Sequence, residues 1–175
     1  MLPVLSAISF LVFLIFALKI HLMKYLSLAV ISLFVLLFSF SSCSKNNPKK
    51  QANTDHATIV DYAKTHNLNG QFTDSGLYYV VTEAGSTDHP NLNSTVTVDY
   101  KGYFLDGSVF DQGTGVSFPL AGVIQGWQEG LQLIGTGGKI TLIVPSGLAY
   151  GSTQNGSIPA NSVLGFDITL HSFSK

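Results

Sequence analysis

The clearest pattern along the chain is strict alternation. In Ser94–Phe104 the residues Val96, Val98, Tyr100 and Phe104 share one face, and Thr95, Thr97, Asp99, Lys101 and Tyr103 share the other. A period of two with one apolar face predicts a half-buried antiparallel strand. Lys139–Pro145 repeats it with Ile140, Leu142 and Val144, and Val163–Phe173 with Leu164, Phe166, Ile168 and Leu170. Gly76–Glu83 is rich in aromatic and β-branched residues and predicts a further strand. Asp106-Gly107 is a hairpin signal, because glycine accepts positive φ freely; it returns the chain through Ser108–Asp111. Gln112–Ser117 is glycine-rich and predicts a loop. Phe118-Pro119-Leu120 is short and suits a sheet edge, since proline cannot donate to a ladder.

Helical periodicity is rarer. Ile124, Trp127, Leu131 and Ile134 recur at helical spacing and predict one stripe, ended by Gly135, Gly137 and Gly138. Upstream, Thr54 or Asp55 could cap a short helix with Ile59, Tyr62 and Ala63 on one side, ending near Asn67–Gly70. Ser152–Ser162 is a polar loop whose one apolar residue, Ile158, precedes Pro159. Four or five antiparallel strands and one short inner helix predict an α+β fold, with a twisted sheet curling round that helix.

The start of the chain changes the picture of domain organisation. Val4–Leu18 and Tyr25–Phe40 are apolar runs that account for much of the 46% hydrophobic content. Met23-Lys24, the apolar stretch Leu26–Phe40 and Ser41-Ser42 have the anatomy of a secretory signal. The single cysteine, Cys43, excludes an intrachain disulfide, and its place after small residues resembles the lipobox of a bacterial lipoprotein. The expected layout is a targeting region over 1–42, a lipidated Cys43 opening a flexible tether over 43–53, a short helix and linker over 54–75, and a domain over 76–173. Met23 is the expected initiator; the alternative is one long or doubled membrane segment over residues 4–42. Cys43 would then anchor the protein at the cell envelope outside the cytoplasm, on the outer membrane or facing the periplasm in a Gram-negative cell.

All ten acidic residues but only seven of the nine lysines follow Cys43, so that part is slightly acidic and carries no basic patch. Nucleic acid is excluded as an expected partner. The histidines lack metal-ligand spacing and cysteine partners, so no metal and no cofactor are expected.

Six short motifs occur in the order and near the spacing of the FKBP-type peptidyl-prolyl isomerases. They are Val98-Asp99-Tyr100-Lys101-Gly102, Asp106-Gly107 with Phe110-Asp111, Val123-Ile124 with Gly126-Trp127, Ala149-Tyr150-Gly151, Ile158-Pro159, and Leu164 with Phe166-Asp167. The resemblance covers about residues 76–173. It implies an FKBP-like antiparallel half-barrel wrapped around one short helix, with an apolar pocket for proline. Trp127 would floor the pocket. Tyr100, Phe110, Val123, Ile124, Ile158 and Phe166 would wall it, with Asp111 and Tyr150 on its polar rim. The Ile124 N–H would bond a substrate carbonyl. The chain departs from the family in having no arginine. It also has Val116 where the family often carries an aromatic. A more open wall and an Asp111 without its usual partner are therefore expected.

The implied partners are Pro-containing polypeptides, with inhibitors of the FK506 and rapamycin class. Rotation about an Xaa–Pro bond crosses a barrier of about 18–20 kcal/mol and breaks no bond, so it needs no nucleophile. An apolar pocket solvates the charge-separated planar amide poorly and favours the twisted one, which is differential binding of the transition state. Without the resemblance, Tyr100, Trp127 and Phe166 would be read as core. Leu131 and Ile134 are expected to be core only. The rival reading is a module that binds Pro-containing or unfolded segments without turnover.

Overall fold

The computed structural model describes residues 47–175. The expectations for the targeting region and Cys43 lie outside the described residues. Among the described residues no helix is long and apolar enough to cross a membrane.

Helix α1 runs over Pro48–Thr65, so it starts six residues before the expected Thr54. Residues 48–53 are helical and are not part of a flexible tether. The cap is Asn47, whose side chain accepts from the N–H groups of Lys49 and Lys50 at 3.1 and 3.4 Å. Pro48 sits where its missing N–H costs nothing. Thr54 does not cap; its hydroxyl donates back to the Lys50 carbonyl.

The strands are β1 (Gln71–Phe72), β2 (Tyr78–Glu83), β3 (Thr95–Phe104), β4 (Val109–Pro119), β5 (Lys139–Val144) and β6 (Leu164–Ser174). They form one six-stranded sheet in the order β1-β2-β5-β6-β3-β4, with every neighbouring pair antiparallel. The expected glycine-rich loop over 112–117 is instead the middle of β4. Its glycines serve bulges rather than a loop. The register shifts between the Val98 and Tyr100 pairs, and Gly115 takes φ +64° there. Asp99 fixes that bulge from β3 by accepting from the Gly115 N–H at 2.7 Å. Asp99 also faces His171 Nε2 at 2.8 Å. The His171 bond, and secondly the Gly115 N–H, hold the Asp99 carboxyl below the usual carboxylate range.

Helix α2 is short, Gln125–Leu131, so Ile134 lies beyond it although it is fully buried. The helix sits directly on β5 because its sheet-facing positions are glycines. A Cβ on Gly126 would lie 2.5 Å from Val144 Cγ1, and one on Gly130 would lie 2.6 Å from Leu142 Cδ2. Trp127 and Leu131 join Leu142, Val144, Phe166 and Leu170 in the main core.

The opposite sheet face is covered as well, which one helix could not do. Ile59 and Ala63 of α1 pack on Tyr78 and Ile143 in a second apolar cluster. Tyr103, expected on the polar face, is buried there and lies over Gly165, where any side chain would collide with its ring.

Candidate active site

Four elements bring aromatic rings to one place. Tyr100 comes from β3, Phe110 and Phe118 from β4, Trp127 from α2 and Phe166 from β6. Trp127 lies at the centre, almost wholly buried. Three rings meet it edge to face: Tyr100 at 5.2 Å, Phe166 at 5.5 Å and Phe118 at 5.9 Å between centroids. Phe110 extends the row, 5.7 Å from Phe166 and 5.1 Å from Phe104. These are favoured geometries for aromatic pairs, which attract through their quadrupoles. Gly102 permits the arrangement: a Cβ there would stand 2.7 Å from the Phe110 ring and 3.0 Å from that of Phe166. The Trp127 Nε1–H is buried and has no partner among the described residues.

The rim is polar. The Tyr100 hydroxyl donates to Asp111 Oδ2 at 2.8 Å. Desolvation first, and then Asp111 as bond partner and charge, push the Tyr100 phenol up to about 12. The phenol therefore stays protonated, and stays a donor, across the neutral range. Tyr150 is also raised, first by desolvation and then by the charge of Asp111, so it lies within electrostatic reach of the same carboxylate.

Val123 and Ile124 are half-buried at the entry to α2 and pack on the core cluster. The Gln128 side chain holds this turn by donating to the Val123 carbonyl at 2.8 Å. The Ile124 carbonyl accepts from Trp127 and Gln128, whereas its N–H has no backbone partner among the described residues. Ile158 is buried in the main cluster, where its backbone exchanges two hydrogen bonds with Asn155.

Residues 86–171 match the family described as FKBP-type peptidyl-prolyl cis-trans isomerase. FkpA of Escherichia coli K12 is 48% identical over 102 residues, which are 56% of this chain and 38% of that protein. The solved peptidyl-prolyl cis-trans isomerase of Pseudomonas syringae aligns with a TM-score of 0.62 at 28% identity, covering 75% of this chain and 99% of that one. The crystal structure of AtFKBP13 aligns with a TM-score of 0.53 at 31% identity, covering 61% of this chain and 99% of that one. The chain belongs to the FKBP-type peptidyl-prolyl cis-trans isomerase family. It spans much less than two thirds of the length of the E. coli relative.

This FKBP domain gathers Tyr100, Phe110, Asp111, Trp127 and Phe166 into contact, with Val123, Ile124 and Ile158 packed on the same cluster. Tyr150, its phenol raised by desolvation and then by the charge of Asp111, is tied to them through that charge. Val116 stands at the margin: it adjoins Tyr100 above Gly113 but lies outside the cluster. Phe118, two residues beyond Val116, supplies a further aromatic against both Tyr100 and Trp127. Asp111 has no arginine beside it, since the chain contains none, and its described side-chain partner is the Tyr100 hydroxyl. Phe118 was the residue missed. The signal was present in the alternation of Val116, Phe118 and Leu120 against Ser117 and Pro119.

Proposed function

We propose that this FKBP domain is a peptidyl-prolyl cis-trans isomerase acting on Xaa–Pro bonds of exported polypeptides. The observation that carries the reading is the aromatic cluster around Trp127, with the Ile124 N–H, which has no backbone partner among the described residues, at its edge. The proline ring enters against Trp127, and Tyr100, Phe110 and Phe166 surround it. The Ile124 N–H fixes one substrate carbonyl, which leaves the prolyl amide as the free rotor. Rings solvate the planar, charge-separated amide less well than water does, so the twisted amide is bound in preference. No proton moves. Tyr100 keeps its proton well above neutral pH, so the rate is expected to stay flat from about pH 6 to 9.

A protease-coupled assay on a Xaa–Pro peptide tests this with the full chain. The expected result is catalysed isomerisation, inhibited by a macrolide of the FK506 or rapamycin class. Peptide binding without acceleration overturns it in favour of a binding module.

The same reading makes Cys43 a lipid-bearing residue that anchors the domain to the cell envelope. Its support is the apolar run and the small residues before Cys43. Mass spectrometry of the chain from bacterial membranes is expected to find acylated Cys43 as the first residue. Unmodified Cys43 removes the anchor and leaves the isomerase reading intact.

A further inference from the structure

Asp55 is a buried carboxylate that the isomerase site does not use. It is 2% exposed, on α1, outside the residues that match the family. A charge taken out of water needs hydrogen bonds to offset its desolvation. Asp55 has three. Oδ2 accepts from the Ser146 N–H at 2.9 Å and from the Ser146 hydroxyl at 2.6 Å, and Oδ1 accepts from Gln51 Nε2 at 2.7 Å.

Ser146, itself 2% exposed, carries the connection onward. Its carbonyl accepts from the N–H of Ala149 at 3.1 Å and from that of Gly151 at 2.8 Å. These two amides flank Tyr150. The Gly151 carbonyl in turn accepts from the Asn161 N–H at 2.8 Å. Tyr150 is 37% exposed, so packing holds its side chain only in part. Its backbone is set by the bonds on either side, and both converge on Ser146.

We propose that Asp55 is a positioning residue: from α1 it holds Ser146, and through Ser146 it sets Tyr150 at the rim beside Asp111. The proposal rests on the isomerase reading of that rim. It extends the working site to a helix beyond the family-matched stretch. The competing role is purely structural, a clamp between α1 and the turn at Ser146–Leu148. The two roles differ in whether the effect of Asp55 passes through Tyr150.

A double-mutant cycle on the full chain separates them. Asp55→Ala is expected to lower kcat/KM about tenfold, because a small misplacement of a positioned group is costly. In a Tyr150→Ala background the same substitution is expected to cause no further loss, the sign of coupling through one residue. Losses that multiply in the double variant overturn the proposal. Asp55→Asn, whose carboxamide oxygen still accepts from Ser146, is expected to restore kcat/KM to within about threefold of wild type. Ser146→Ala removes only the hydroxyl donor and gives a milder variant if Asp55→Ala does not fold. Ile59→Ala, in the same helix, is expected to lower the urea midpoint and leave kcat/KM unchanged. If it lowers kcat/KM as much as Asp55→Ala does, the helix acts only through stability and the proposal fails. NMR of ring-labelled tyrosine reads the link without activity: Tyr150 resonances are expected to shift in Asp55→Ala. A shift in a chain with no isomerase activity keeps the Asp55–Tyr150 link and sinks the isomerase reading. Unmoved resonances sink the link.

Discussion

Phe110→Ala is expected to lower kcat/KM for a Xaa–Pro peptide between about tenfold and about a hundredfold while the domain stays folded. Burying an aromatic face contributes about 1.5–3 kcal/mol, and about 1.4 kcal/mol is a factor of ten in rate. The ring is half-buried on the outermost strand, so its loss opens no deep cavity. What it loses is the wall that the row Phe104–Phe110–Phe166 presents to a substrate. If that wall favours the twisted amide, the loss falls on kcat; if it holds both states equally, it falls on KM. Val109→Ala, next in sequence but 46% exposed, is the control and is expected to change neither. A folded, fully active Phe110→Ala protein removes Phe110 from the site.

Gly130→Ala reverses the usual sign of a glycine-to-alanine change in a helix. Helix propensity alone would stabilise by about 1 kcal/mol. Here the new Cβ would stand 2.6 and 2.7 Å from the two terminal methyls of Leu142, which is fully buried and has nowhere to go. Overpacking of a close-packed core costs about 1–3 kcal/mol. The sum is expected to be a net destabilisation of up to about 2 kcal/mol in urea unfolding. Trp127 is the only tryptophan, so its emission follows the same transition without a label. The same lift of α2 off β5 displaces Trp127 from beneath the site, so activity is expected to fall with stability. A raised urea midpoint would show that α2 is not seated on Leu142.

Much of the fold was legible because alternation is a strong signal. β3, β5 and β6 follow their apolar faces closely, and the Asp106-Gly107 hairpin lies where its glycine demands it, with Gly107 at φ +88°. β4 was not legible as a strand, because Gly113 and Gly115 read as loop residues. In an edge strand, glycine marks a bulge. The start of α1 was hidden by its polar sequence, although asparagine followed by proline is a helix-start pattern. Its buried stripe is Asp55, Ile59 and Ala63. A carboxylate at the head of that stripe looks like a solvated residue until its donors on Ser146 are visible. The outer-face burial of Tyr103 depends on Gly165 and α1, both distant in sequence. The motifs named Tyr100, Phe110, Trp127 and Phe166, the rings that gather in one cluster. Phe118 did not, because its role comes from a strand pairing across residues that read as a loop.

Among the described residues the sheet order leaves β4 with one side unpaired. A long edge of free N–H and C=O groups is a template on which foreign strands can grow. This edge is interrupted. Its register slips twice against β3, Gly115 turns the backbone out of line, and Pro119 offers no N–H. An incoming extended chain can match only a few consecutive groups before the ladder breaks. The glycines that shape the wall beside Tyr100 thus also protect the domain's solubility, and replacing them with β-branched residues would straighten the edge into a seed for aggregation.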